Sequence, residues 1–213
     1  MAGGSLHIPD GFLDPIISLS LYVITLIVVI YSAKRYFSED KGDISYLSVI
    51  AAAIFAAQML NWPIPGGTSA HLVAGALAAM LIGPFGGCLA MFMNLVVQCL
   101  LMGDGGITAL GANSFNMAIV DVFVGYAIYR LALKALGEQR RMIAAFLGGW
   151  IGIGLAATVC GLEIGLSPLF GYPVAITVPV MASWHLALGV IEGIVTAFVV
   201  GYLAKRSPNL LWG

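Results

Sequence analysis

Imidazole side chains bind late first-row transition metals in their neutral form, and this chain carries three of them: His7, His71 and His185. His7 stands just before Ile8-Pro9-Asp10-Gly11, His71 closes the run Pro63-Ile-Pro-Gly-Gly-Thr-Ser-Ala-His71, and His185 opens a stretch that reaches Glu192 seven residues later. On a helix that spacing sets His185 and Glu192 on one side, two turns apart. Asp121 follows Asn113 by eight residues and Asn116 by five. Both acids sit in apolar surroundings, where a charge is costly and is normally paired or neutralised. They fit hydrogen bonding between helices or a direct part in moving an ion, and spacing does not separate the two. Asn94 and Gln98, one turn apart, read as hydrogen-bonding groups between helices.

Hydrolytic patterns are missing. His185…Glu192 is not the HExxH of a zinc protease, and neither GxSxG nor a phosphate-binding Walker sequence occurs. The chain therefore does not hydrolyse ATP by itself, and a carrier built on it draws energy from elsewhere. Cys88, Cys99 and Cys160 lie in apolar segments without CxxC spacing and read as buried small residues.

The elements that must position these residues are membrane helices. Of 213 residues, 61% are apolar and 9% charged, against about 25% charged in a soluble domain. Net charge is −1, so nothing points to nucleic acid. Seven apolar segments are expected, at 14–36, 44–61, 69–82, 84–102, 113–135, 141–162 and 179–204. The third is short and is divided from the fourth by Gly83-Pro84. Lys34, Arg35, Lys41, Arg130, Lys134, Arg140, Arg141, Lys205 and Arg206 all fall on one side of seven crossings. The positive-inside rule makes that side cytoplasmic, with the N-terminus outside and the C-terminus inside.

The opposite side gathers the arm 1–13, the loops 61–68 and 103–113, and 163–178, rich in Gly, Pro and Asn. All three histidines map there. Small-residue faces at Ala52/Ala56, Ala53/Ala57 and Ala74/Ala78 suit close helix approach within the bundle or against a partner. Met1 to Ser5 has neither the basic nor the apolar region of a secretory signal and reads as a short flexible leader or cloning scar. The expectation is a single membrane domain over 1–213, with 6–13 as an outer metal-binding arm.

Four blocks carry a resemblance. They are Leu6-His-Ile-Pro-Asp-Gly-Phe-Leu-Asp-Pro15, Pro63 to His71, Gly103-Asp-Gly-Gly-Ile-Thr-Ala-Leu-Gly-Ala-Asn113, and His185-Leu-Ala-Leu-Gly-Val-Ile-Glu-Gly193. In that order they resemble the NikM/CbiM family, the nickel and cobalt substrate-binding (S) components of energy-coupling factor transporters. The resemblance implies a seven-helix S component in a prokaryotic cell (inner) membrane. It implies capture of Ni2+, or next Co2+, at the outer face, with the ion as cargo and no cofactor. It also implies partners: a transmembrane T component, two ATPase subunits and often a small accessory membrane subunit.

The family site implied is a chelate at the chain start, built from an α-amine, the next backbone nitrogen and that residue's imidazole, with a second histidine completing a plane. Here it maps to His7, His71 and the backbone nitrogen of Leu6, which holds the place of the family's initiator Met. Four planar nitrogens suit d⁸ Ni(II) and disfavour tetrahedral zinc. The histidine stands at position 7 instead of 2, so the Leu6 nitrogen is an amide. The chain as written is therefore expected to bind metal much more weakly than one beginning Met-His. Asp10, Asn61, Ser69, Asn113 and His185 are the candidates to orient the ligands, with Asp104 in the same outer set. The competing readings are a self-sufficient ion-coupled carrier or channel using Asp121 and Glu192, and an intramembrane metalloenzyme using the histidines and Glu192.

Overall fold

In a bilayer the usual helix pattern inverts, because lipid takes the apolar face and small polar groups turn inward. Helix α1 (Pro15–Phe37) follows this rule. Ser18, Thr25 and Ser32 are buried, while Ile16, Leu19, Val23, Ile27 and Ile30 face outward. Asp14 caps it, accepting a hydrogen bond from the Ile16 amide at 2.8 Å, and Pro15 occupies the first turn. The computed structural model describes residues 7–38, 42–59, 61–64 and 68–212; of 61–64 and 68–70 it describes the main chain alone.

Helix α2 (Ile44–Gln58) leads into a two-stranded hairpin, β1 (Asn61–Ile64) and β2 (Thr68–His71), with Asn61 opposite His71. Next come α3 (Gly75–Met102), α4 (Leu110–Ser114), a π-helical stretch (Phe115–Val124) running straight into α5 (Gly125–Leu136), α6 (Arg141–Leu166) and α7 (Val174–Arg206). Among the described residues, four helical stretches are long and apolar enough to cross a membrane: Pro15–Phe37, Gly75–Met102, Glu138–Leu166 and Val174–Arg206.

Helix α3 is folded back on itself. Ile82 and Gly83 leave helical geometry, Gly83 takes φ +79°, a region that favours glycine, and Pro84 starts the second limb. The limbs lie side by side, since a Cβ on Gly87 would meet the main chain of Ala79 at 2.8 Å. The turn sits at the end of the molecule that carries the C-terminus. The Trp212 amide donates to Met80 O at 2.9 Å, and the Trp212 ring covers Gly83. Arg35 lies over Phe85, 5.7 Å from its ring centroid, so the basic end of α1 is there too. Both open ends of α3 point to the other end of the bundle.

Several expected boundaries shift. The segment 69–82 begins as strand, because residues to His71 pair with β1, and helix starts only at Gly75. Helix α2 stops at Gln58, α5 is entered from Leu110, and α6 and α7 extend the expected segments to Leu166 and back to Val174. The loop between α6 and α7 shrinks accordingly, and Pro179 lies inside α7 near its start instead of opening it.

The polar residues suspected of joining helices do so. Asn94 Nδ2 donates to Ala51 O at 3.1 Å, and Gln98 Nε2 to Gln58 Oε1 at 2.8 Å, tying α3 to α2. Ala74 and Ala78 are buried, whereas Ala52, Ala53 and Ala56 remain on the outer surface of α2.

Candidate metal centre

The N-terminal arm is held by its main chain. The Ile8 N–H donates to Asn113 Oδ1 at 3.0 Å, and Asn113 Nδ2 returns a bond to Ile8 O at 3.1 Å. The Gly106 N–H adds a third, at 2.9 Å to the same oxygen. One amide side chain thus replaces the edge of a strand. Ile8 and Leu13 are buried with Leu21, Ala109, Ala112 and Ile164, and Phe12 tilts against Phe170 at 5.1 Å. Gly106 has to be glycine, since a Cβ there would overlap the Asp10 nitrogen and carboxylate.

Asp10 Oδ1 accepts from the Thr108 amide at 2.7 Å and the Thr108 hydroxyl at 2.5 Å. Those bonds hold its pKa below the ordinary 3.8, the hydroxyl bond most of all. A carboxyl with a lowered folded-state pKa stabilises above its unfolded value and loses that contribution as pH falls through the lower one. Protection of the amides in residues 7–13, taken relative to their intrinsic exchange rates, is therefore expected to hold down to about pH 4 and to fall below it. Asp10→Asn is expected to be less protected at neutral pH with a weaker acid step; an unchanged profile in that variant would remove Asp10 from the latch.

The arm delivers His7 into the bundle's mouth. His7 is 7% exposed, its Nδ1 is 3.3 Å from Asp104 Oδ2, and its ring centroid is 5.2 Å from that of His71, at 74°. His71 Nδ1 lies 2.9 Å from Leu72 O. A carbonyl only accepts, so Nδ1 is assigned the proton and Nε2 the free lone pair. Burial, followed by the neighbouring His7, pushes the His71 pKa down to about 4, which leaves it neutral and ready to ligate at physiological pH. His185 Nδ1 lies 2.9 Å from Met181 O, one turn back on α7, which assigns its proton in the same way.

Beneath the imidazoles is a cavity of about 540 Å³, lined by all three histidines with Asn113, Asn116, Cys160 and Met181 among its walls. Asn116 Nδ2 donates to Glu163 Oε2 at 2.7 Å behind it. No group of three or more His, Cys, Asp or Glu side chains among the described residues is arranged to hold a metal ion.

The expected site residues sort as follows. His7, His71, Asn113 and His185 come to one cavity. Asp10 bonds Thr108, while Asp104 is the carboxylate beside His7. Leu6 and the side chains of Asn61 and Ser69 lie outside the described residues. Glu192 is buried and accepts from the amides of Val73 and Ala74 at 2.8 and 2.5 Å. Asp121, also buried, faces the first turn of α3 beside Gly75. Sequence reasoning missed Gln58, whose Nε2 donates to Val73 O at 2.7 Å. A lone amide inside an alanine-rich apolar helix was the signal available.

Apolar helices long enough to cross a bilayer, with two imidazoles side by side in the wall of a cavity, define a multi-pass membrane protein. Residues 7–210 match the family described as CbiM, the cobalt uptake substrate-specific transmembrane region. A relative in Archaeoglobus fulgidus, provisionally named a fused nickel transport protein NikMN, is 54% identical over 206 residues, or 97% of this chain and 68% of the relative. The fused nickel transport protein NikMN of Rhodobacter capsulatus is 38% identical over 97% of this chain and 64% of its own length. A crystal structure of a truncated transition metal transporter superposes with a TM-score of 0.87 at 38% identity, covering 94% of this chain and 99% of that one. The chain belongs to the CbiM family, whose members are nickel and cobalt transport proteins. It spans about two thirds of the length of the fused relatives.

Proposed function

We propose that this chain is the substrate-binding component of an energy-coupling factor importer and captures Ni2+, or Co2+ next, at the outer face of a prokaryotic cell membrane. The observation that carries the reading is the His7–His71 pair, 5.2 Å between ring centroids at the mouth of the cavity. With no three-residue side-chain cluster among the described residues, two imidazoles leave a coordination shell incomplete. In a chain that begins Met-His, the α-amine in the place of Leu6 and the main-chain nitrogen of His7 supply the rest. Only a d⁸ or similar metal draws the proton from such an amide, which favours Ni(II) in a plane over tetrahedral Zn(II).

Counting the limbs of α3 separately gives seven segments, with the histidines at one end and the basic residues at the other, and supports seven crossings with the N-terminus outside. The names of the fused relatives support a membrane partner for the nickel component. The resemblance to energy-coupling factor S components implies a transmembrane T component and two ATPases as further partners, and the chain holds no nucleotide-binding sequence that would take their place. Glu192 bonded to two amides favours a structural role over an ion relay, which weighs against the self-sufficient carrier.

Calorimetric titration with Ni(II), Co(II) and Zn(II) tests the reading on two chains, one as given and one in which a single Met replaces residues 1–6. Tight Ni(II) binding by the Met-His chain alone is expected. Equal binding by both would mean that the amine is no ligand and that side chains alone build the site.

A further inference from the structure

We propose that Glu192 is a positioning residue for the His71 imidazole and acts on it through a single peptide group. The inference rests on the reading of His71 as a metal ligand. The peptide in question joins Leu72 to Val73. Its carbonyl oxygen lies 2.9 Å from His71 Nδ1, and its N–H donates to Glu192 Oε2 at 2.8 Å. Imidazole, peptide and carboxylate thus form one continuous chain of hydrogen bonds.

The carboxylate is held rigidly in this task. Its other oxygen accepts from the next amide, Ala74, at 2.5 Å, so consecutive N–H groups grip both oxygens. The following carbonyl, Val73 O, is taken by Gln58 Nε2 at 2.7 Å. Glu192, Gln58 and Val73 are all buried. Ala74 adopts φ +61°, a left-handed conformation rare outside glycine, and this turn points both amides at one carboxylate.

Physics gives the chain a direction. The peptide is a resonance system, so a carboxyl oxygen accepting from its N–H shifts electron density onto its carbonyl oxygen. That oxygen becomes a stronger acceptor for Nδ1–H, and a stronger bond there raises the electron density at Nε2, the nitrogen left to ligate. Metal-ligating histidines are commonly backed by a carboxylate or a carbonyl; here the carbonyl is in turn backed by a carboxylate from α7. Capping the orphan amides ahead of α3 explains why an acid is tolerated at this depth. Capping alone predicts nothing about the imidazole.

The test uses the full chain labelled with ¹⁵N-histidine, whose three imidazoles give few signals. Nitrogen and Nδ1–H proton resonances of metal-free Glu192→Gln are compared with those of the parent. The expected result is a weakened Nδ1–H bond and a tautomer mixture at His71, with His185 unmoved. Ni(II) affinity, measured in the chain beginning Met-His, is expected to fall about 10–100-fold. Unchanged His71 signals would overturn the proposal, whatever happens to stability. Should Glu192→Gln not fold, Glu192→Asp retracts the carboxyl group by one methylene, and a shift of His71 in the same direction is required. The spectra are recorded without metal, so a parent chain that fails to bind Ni(II) would sink the transport reading and still leave the relay to be decided.

Discussion

His71→Ala is expected to abolish high-affinity Ni(II) capture while the bundle stays folded. His71 ends β2 at the mouth of the cavity and has a neutral ring with Nε2 free. Changes to groups that merely orient a ligand cost about 10–100-fold in affinity. Removing one donor from a four-nitrogen plane should exceed that and reach at least about 10³-fold, or roughly 4 kcal/mol. The structural cost is small by comparison. Leu72 O loses one partner, worth about 0.5–1.5 kcal/mol net, and no helix depends on the ring. Calorimetry and thermal unfolding on the Met-His chain check both halves. Retention of Ni(II) affinity within tenfold would dismiss His71 as a ligand. His185→Ala, whose ring is tied within its own helix and lies in the cavity wall, is expected to lose less than tenfold.

Gly106→Val should disable the site as thoroughly as His7→Ala without touching an imidazole. The arm and the loop after α3 meet with no space between them, and a side chain at 106 would occupy the place of the Asp10 nitrogen and carboxylate. Overpacking of this kind costs about 1–3 kcal/mol. The arm relieves it by lifting away, because the bonds nearest residue 106 are the Asn113 pair, the Gly106 bond and the Asp10–Thr108 contact, all between the arm and this loop or the helix it enters. With the arm lifted, His7 leaves Asp104 and His71. Hydrogen exchange should quicken across 7–13 and remain slow in α6 and α7. Full Ni(II) affinity together with protected arm amides would refute the latch.

These outcomes divide the molecule into what could be read along the chain and what could not. Periodicity and composition are local, and they predicted the membrane helices, the break at Gly83-Pro84 and the separation of the histidines from the basic residues. The four blocks of loop sequence located His7, His71 and Asn113 at one mouth. Element ends were less legible. Residues 69–71 lead directly into an apolar run and read as its start, yet they pair as strand, because the hydrogen-bonding partner lies in β1 and periodicity carries no record of it.

The site divides in the same way. Residue types on their own gathered the imidazoles with Gly- and Asn-rich loops on one side of the membrane, and the resemblance added the expectation that two of them hold a metal. Only the folded chain decided that Asp104 and not Asp10 stands beside His7, that Asn113 holds the arm by its main chain, and that Glu192 grips the peptide behind His71. Those pairs are about 100 residues apart in sequence, and a hydrogen bond is settled within a few tenths of an ångström. Such distances follow from how α3 doubles back and how α7 lies against it, and no local pattern encodes them.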